Sequence, residues 1–555
     1  MPPTFDRRRS LDRLAGEEFD VLVIGGGVTG CGVALDAASR GLRTALVEKR
    51  DFASGTSSKS SKLVHGGLRY LQQRDYRLVY EALHERQRLL DNAPHLVHPL
   101  PFLIPLFGKD GVVASSVAKA YSVALWTYDL TGGLRIGHRH RRIDADEALR
   151  HFPVLRTDRL VASFLYWDAQ ADDARLTLTI ARTAAARGAA IANYSPVAEL
   201  IEEAGRVRGA ILEDGTRIRA RVVINAGGVW SEKIASLGGH SAGSPVKIRP
   251  AKGIHVAVPA DKLPCDFASV LTVPGDRRSV FVVPWAADET SHRTGDDSAS
   301  VPARFTYIGT TDTDYDGPLD DPQCTVEDVD YLLRAVNAWT SATLTPDDVT
   351  GSWAGLRPLI SDARSARTAD LSRRHSVTTS ATGLVTVTGG KLTTYRLMAA
   401  DTVDAAAKVL GRPVGPSQTK RLRLLGATPP TPSSGHLEGR YGTETADVLA
   451  LCREDTTLAE TVSDSLPYIK AEAVFAARYE MAHTLDDILS RRTRARILDR
   501  DAAAQAAPAV AGLVARELGW DGAEQASQVA AFRGAVDSDQ QATTAEPEHR
   551  AAANL

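Results

Sequence analysis

No run of about eighteen apolar residues occurs anywhere in the chain, which removes transmembrane helices but not attachment to a membrane surface. Cysteine is scarce. Cys31, Cys265, Cys324 and Cys452 lie far apart and form neither a C-x-x-C pair nor a Cys/His cluster, so no structural zinc, no metal centre and a reducing, cytoplasmic setting are expected. Neither sign of charge prevails: 66 Lys and Arg against 68 Asp and Glu leave a formal net charge of −2, whereas a nucleic-acid binder would show a basic excess. No apolar segment follows Arg7, Arg8 and Arg9, so residues 1–18 read as a flexible leader rather than a secretory or twin-arginine signal. The 555 residues, 43% of them apolar and 24% charged, imply more than one soluble domain.

What is present is organised around residues 20–30, DVLVIGGGVTG. The apolar run 21–24 predicts a buried parallel strand, and Gly25, Gly27 and Gly30 follow at G-x-G-x-x-G spacing. Gly25 allows the tight turn, Gly27 lets backbone N–H groups approach a pyrophosphate, and Gly30 lets the helix pack close on the strand, its N-terminal dipole favouring the anion. The next strand, 44–47, ends on Glu48, a carboxylate suited to a ribose 2′-OH. A dinucleotide is therefore expected, with FAD and NAD equally compatible with the motif. Residues 222–228 (VVINAGG) and 384–391 (LVTVTGGK) repeat the strand-to-glycine turn, which predicts a nucleotide domain assembled discontinuously. The β-rich stretches 281–284 and 306–308 predict a separate sheet roofing it. Lys391, just past two glycines, is placed to meet an anion or a flavin carbonyl. On a helix starting near Gly66, Arg69 and Tyr70 fall in the first turn, where a cation opposes the helix dipole and needs an anion nearby to justify it.

The segment TSSKSSKLVHGGLRYL (56–71) resembles the FAD-dependent glycerol-3-phosphate dehydrogenases of the aerobic, membrane-associated type. Further matches follow in order: WDAQADDARL (167–176), INAGGVW (224–230), AKGIHV (251–256), FVVPW (281–285), IGTTDTDYDG (308–317), WAGLRPL (353–359) and TGGKLTTYR (388–396). The resemblance implies an α/β fold: a Rossmann-like FAD-binding domain interleaved with a β-sheet substrate domain of the D-amino-acid-oxidase type, together spanning 19–410. A linker (411–435), an all-helical C-terminal domain (436–535) and a disordered tail (536–555) follow. It also implies the cofactor FAD, held by Gly25, Gly26, Gly27, Gly30, Glu48, Thr56, Ser57, Ser58, Lys62, Gly227, Gly390, Lys391, Leu392 and Thr393. The substrate, glycerol 3-phosphate, has its phosphate assigned to Arg69, Tyr70 and Lys391. Arg357 is placed beside the reacting carbon, where fixed positive charge favours alkoxide character. Arg373, or its neighbour Arg374, is a second substrate arginine. His255 is the first choice of base and His65 the second.

Electrons are expected to pass to a membrane quinone, from an enzyme attached to the inner face of the cytoplasmic membrane and assembled as a homodimer. The apolar, Trp-containing stretch 108–133 beside the basic cluster 138–142 suits such a contact, a core helix beside a solvated charge run being the alternative. Residues 286–304 read as a mobile polar insertion. Arg491, Arg492, Arg494 and Arg496 read as a solvated or interdomain salt-bridge face rather than a nucleic-acid face. An oxidase handing electrons to O2, a FAD-linked amine oxidase and a non-enzymatic flavin-binding sensor are the rival readings.

Overall fold

The computed structural model describes residues 5–68, 70, 75–108, 115–238, 247–276, 278–286, 303–360, 374–429, 431 and 434–544. Two sheets organise them. In the first, the strands run in the order His375–Thr379, Val385–Gly389, Arg217–Asn225, Glu18–Ile24, Thr44–Val47, Ala190–Ala192. The four pairings from Val385–Gly389 to Ala190–Ala192 are parallel. Glu18–Ile24 is buried at every position but the first, as its unbroken apolar run requires for a central strand covered on both faces. Val385–Gly389 reaches this sheet only after more than half the chain has passed, so the nucleotide domain is assembled discontinuously.

The second sheet runs Thr313–Asp314, Ile248–Pro259, Ala303–Gly309, Ser279–Ala286, Ala268–Thr272, Val97–Phe107, Leu160–Ala171, Leu63–Val64, with Gly351–Ile360 also paired to Ile248–Pro259. Its register aligns Phe281 with Gly309 and Gly309 with His255 across three neighbouring strands. The fold is thus the expected α/β architecture, a Rossmann-like domain interleaved with a substrate sheet and followed by a helical domain that includes Thr445–Glu454, Lys470–Tyr479 and Arg500–Leu518.

Three boundary expectations need correction. Most of the leader is the helix Arg7–Gly16, capped by Asp6, whose carboxylate accepts the Arg9 N–H at 2.8 Å, and anchored by buried Leu14. Arg7 ties it down by donating to the carbonyls of Asn193 and Tyr194. The Pro/Gly-rich linker is packed onto the nucleotide domain, with Leu422 and Leu424 in its core and Asn92 donating to the Thr419 carbonyl at 3.1 Å. The tail begins as helix: Gly522–Thr544 continues through buried Val536, and Asp539 pairs with Arg496 at 2.8 Å. Residues 545–555, and the insertion apart from residues 286, 303 and 304, lie outside the described residues. No helix among the described residues is long and apolar enough to cross a membrane.

Candidate active site

At the first glycine turn, a Cβ on Gly30 would stand 1.9 Å from the Gly25 carbonyl oxygen, and Gly25 itself has φ +118°. Only glycine lets the helix Val28–Ser39 start this close to the strand. Gly27 is the N-cap of that helix, and Ser57 closes over it, its Oγ accepting the Val28 N–H at 2.9 Å. Glu48 accepts the N–H groups of Gly26 at 2.6 Å and Arg50 at 2.9 Å. Burial pushes its carboxyl up, and those two donors oppose the shift. Gly227 arrives from the second turn, its N–H 3.3 Å from where a Gly25 Cβ would lie. A helix N-terminus entered through a glycine N-cap, with Ser57 at its first N–H, and a carboxylate at the strand end fit the pyrophosphate and ribose of a dinucleotide.

From this cradle the loop 54–65 leads into the interleaved domain. Thr56, Ser57 and Ser58 form a short 3-10 turn, and the Thr56 hydroxyl donates to the Leu356 carbonyl at 2.5 Å. Ser61 meets His255, Oγ to Nε2 at 2.9 Å, and the Trp353 ring stacks on the imidazole at 4.9 Å and 9°. A Cβ on Gly309 would fall 2.0 Å from the His255 ring, so a glycine across the strand pair makes room for it. His255 is 2% exposed. Burial pulls its pKa well below the usual range, with the charges of Lys62 and Arg357 acting in the same direction, so the ring is neutral at physiological pH. Arg357 lies over Gly253, donates to the Thr311 carbonyl at 3.2 Å and to Thr310 Oγ1 at 3.1 Å, and stays 26% exposed.

Farther along, Lys391 stands over the Tyr70 ring, its Nζ 3.9 Å from the centroid. The next turn, Leu392–Thr394, puts the Thr393 hydroxyl 3.1 Å from the His65 N–H, which donates to it. Gly390, at φ +87°, turns the chain into this arrangement. His65 is partly open, its pKa lowered to about 4 by burial and by Lys391 and Arg86 against the opposing charge of Asp168. The third glycine turn therefore converges on His65 and Tyr70. Arg69 and Arg373 lie outside the described residues. Arg374, the alternative in that register, pairs with Asp75 at 2.6 Å on the surface.

Lys62 departs from its expected place among the cofactor contacts. It points inward, fully buried, bonding the Ser58 carbonyl at 3.0 Å and Asp173 at 3.1 Å. Sequence reasoning also overlooked the partners that hold the loop: Asp173, Trp353 and Tyr307, whose hydroxyl donates to the Ser61 carbonyl at 2.8 Å. It overlooked Asp168 as well, which accepts from the Gly66 N–H at 3.2 Å and from Arg86 at 2.7 Å. Asp168 and Asp173 stand in WDAQADDARL and Trp353 in WAGLRPL, so the motifs contained the signal.

Arg491, Arg492, Arg494 and Arg496 do not form a solvated face. Arg492 makes a forked pair with Asp51 at 2.7 Å for each bond, Arg491 joins at 2.6 Å, and Arg494 is likewise buried. They serve the interdomain contact, which excludes their use as a nucleic-acid face.

A family model described as FAD dependent oxidoreductase matches residues 20–396, and one described as the C-terminal domain of alpha-glycerophosphate oxidase matches residues 417–525. Glycerol-3-phosphate dehydrogenase 2 of Mycobacterium tuberculosis is 41% identical over 551 residues, covering 95% of this chain and 89% of the relative. The mitochondrial glycerol-3-phosphate dehydrogenase of Homo sapiens is 36% identical over 555 residues, 93% and 73% of the two chains. The crystal structure of the Bacillus halodurans glycerol-3-phosphate dehydrogenase complexed with FAD superposes with a TM-score of 0.74 at 31% identity, covering 97% of this chain and 98% of that one. With both domains matched and the glycine cradle formed, the chain belongs to the FAD-dependent glycerol-3-phosphate dehydrogenase family.

Proposed function

We propose that this chain oxidises sn-glycerol 3-phosphate to dihydroxyacetone phosphate, passing the C2 hydride to FAD and the electrons onward to a membrane quinone. The observation that carries the reading is the convergence of Lys391 and Tyr70, from opposite ends of the oxidoreductase region, next to His65 and Thr393. A cation fixed over an aromatic face beside a polar turn suits a phosphoester. Arg69, one residue before Tyr70, is proposed as the forked partner of the same phosphate, and Arg373 as a second substrate arginine.

Bound FAD supplies the two-electron acceptor; Gly25, Gly26, Gly27, Gly30, Glu48, Thr56, Ser57, Ser58, Gly227, Gly390, Leu392 and Thr393 would hold it. Arg357 keeps positive charge at the edge of the site, where it favours the developing alkoxide. His255, neutral and held by Ser61 and Trp353, is proposed to take the hydroxyl proton. His65 is the second candidate because it is the more open of the two histidines.

Anaerobic addition of glycerol 3-phosphate should bleach the flavin absorbance, while glycerol should not. Arg69→Ala should raise the half-saturating concentration by about 10- to 100-fold and leave flavin content unchanged, since charge-assisted hydrogen bonds are worth about 1.5 to 3 kcal/mol. A colour that persists with glycerol 3-phosphate sinks the reading. Peroxide produced in air at the rate of substrate turnover would replace the quinone with O2.

Attachment to the inner face of the cytoplasmic membrane, as a homodimer, belongs to the same reading. Its support is the exposed apolar side chains Val123, Trp126, Leu130 and Leu134, with Arg139 5.7 Å over the Trp126 ring and Arg135, Arg141 and Arg142 exposed close by in sequence. Exposed apolar side chains next to arginines suit an anionic lipid surface. Flotation with anionic liposomes should be lost in Trp126→Asp/Leu130→Asp; retained flotation would remove this patch as the anchor, and light scattering reads the dimer.

A further inference from the structure

Arg494 comes from the C-terminal domain, yet its guanidinium ends inside the oxidoreductase domain, 1% exposed. Its Nη2 donates to the Ser58 carbonyl at 2.6 Å and to Asp173 Oδ1 at 3.1 Å, and Nη1 donates to its own domain's Ser490 carbonyl at 3.1 Å. Nε lies 3.6 Å from Asp172. The Ser58 carbonyl and Asp173 Oδ1 are the same two acceptors that Lys62 Nζ uses. The other oxygen of Asp173 takes the Ser60 N–H at 3.0 Å and the Ser60 hydroxyl at 2.7 Å. One carboxylate and one carbonyl thus gather two cations and the middle of the loop.

What lies on either side of that knot gives it meaning. On one side are Thr56 and Ser57, the latter seated on the N-terminus of the helix Val28–Ser39. On the other is Ser61, bonded to His255. No slack separates them. Trp353 donates to the Ser60 carbonyl at 3.2 Å, and its ring lies under Lys62 Nζ at 4.6 Å and against His255. A shift at Ser58 is therefore transmitted in both directions along the loop.

We infer that Arg494 is a positioning residue for the flavin site: through Ser58 and Asp173, the C-terminal domain sets the loop that faces the cofactor and orients His255. This deepens the proposed function and rests on its placement of residues 56–58 against FAD. The titratable and charged groups facing Lys62 are Asp172 and Asp173 from the helix Asp173–Ala186 and its cap, Arg494 from the C-terminal domain and the neutral ring of His255 from the strand Ile248–Pro259; behind them Arg440 of the C-terminal domain faces Asp172, and Arg357 of the strand Gly351–Ile360 faces His255. Removing Arg494 withdraws one cation from this set as well as a strut from the loop. Lys62, its pKa lowered to about 8 by burial and by Arg494, would then hold its proton to higher pH.

The control is Arg182, which makes a forked pair with Glu444 of the C-terminal domain at 2.7 and 2.8 Å and touches no part of the loop. The holoenzymes Arg494→Met, Arg494→Lys and Arg182→Met are compared by thermal unfolding, by the visible flavin spectrum and by the flavin midpoint potential from a reductive dye titration that needs no substrate. Arg494→Met should shift both the absorption band and the potential and slow bleaching by glycerol 3-phosphate by about tenfold, the effect of losing a charge-assisted contact. Arg494→Lys should recover part of each shift. Arg182→Met should lower the unfolding temperature and leave spectrum and potential at wild-type values. If Arg494→Met does not fold, Arg494→Lys carries the test, because one ammonium cannot keep the Nη1 bond to the Ser490 carbonyl together with the Nη2 bonds to Ser58 and Asp173. A wild-type spectrum and potential in the Arg494 variants, whatever their unfolding temperature, would reduce the residue to a domain tether and overturn the inference. Shifted potentials in a protein whose flavin no polyol phosphate bleaches would leave the inference standing and sink the proposed function.

Discussion

In His255→Gln, reduction of the bound flavin by glycerol 3-phosphate is expected to slow by about 10²- to 10⁴-fold, the range general-base catalysis supplies. Glutamine keeps a hydrogen-bonding group for Ser61 and a flat amide for the Trp353 face, so the loop and the flavin spectrum should survive while the proton acceptor is lost. The pH dependence follows from the direction of the shift. A histidine whose pKa is lowered is neutral at every pH above that value, so kcat/KM of the parent enzyme should stay flat as pH falls from 8 to about 6.5, the ordinary histidine value, and decline only below it. Stability carries the same sign. The unfolded chain protonates this ring near its ordinary pKa and the folded chain does not, so the stabilisation is complete above about 6.5 and is lost as pH falls further. Denaturant titrations at pH 7 and pH 5 should show a smaller loss for His255→Gln than for the parent. Full turnover in that variant would move the base to His65.

Gly30→Val should yield colourless protein. The first carbon of the new side chain would stand 1.9 Å from the Gly25 carbonyl and 3.4 Å from Ala226 Cβ. Neither neighbour can retreat, because the Gly25 N–H donates to the Val47 carbonyl at 2.9 Å and the Ala226 N–H to the Ile24 carbonyl at 2.9 Å, which stitch the turn to three parallel strands. The helix must therefore move away from the strand, taking its N-terminal N–H groups off the pyrophosphate position. We expect flavin occupancy to be lost and folding stability to fall by more than about 4 kcal/mol, the range reserved for such steric failures. Gly534→Ala, in a helix where an added Cβ meets open space, is the matched control and should remain yellow with unchanged stability or a small gain. A yellow Gly30→Val protein would dissociate this turn from the cofactor.

The cradle was legible in the sequence because its requirements are local. A tight turn, a close helix and an acid at the next strand end each constrain a residue type at a fixed offset, so Gly25, Gly30 and Glu48 could be named from spacing alone. Lys391 was also legible as a cation past a glycine turn. Its companion Tyr70 needed the family motif, since nothing local predicts that two such distant segments meet. Arg7–Gly16 and the end of the helix Gly522–Thr544, residues 536–544, were misread for a related reason. Their compositions, rich in Arg in one case and in Ala, Gln and Glu in the other, suit solvent as well as helix. A few contacts, Leu14 with the first sheet and Val536 in the C-terminal core, decide between them.

Order along the chain determined the class of protein: a strand, a glycine turn, a helix and an acid near the start, two further glycine turns much later, and a helical end. It also determined which residue types could meet a dinucleotide or a phosphate, because those follow from backbone geometry and side-chain charge. Tertiary structure alone decided which way the cations face. Lys62 and Arg494 share Asp173, Arg492 takes Asp51, and His255 is sealed beneath Trp353. A buried cation is tolerated only where a carboxylate from elsewhere in the chain neutralises it, and that pairing is settled by the packing of whole domains rather than by any neighbour in sequence.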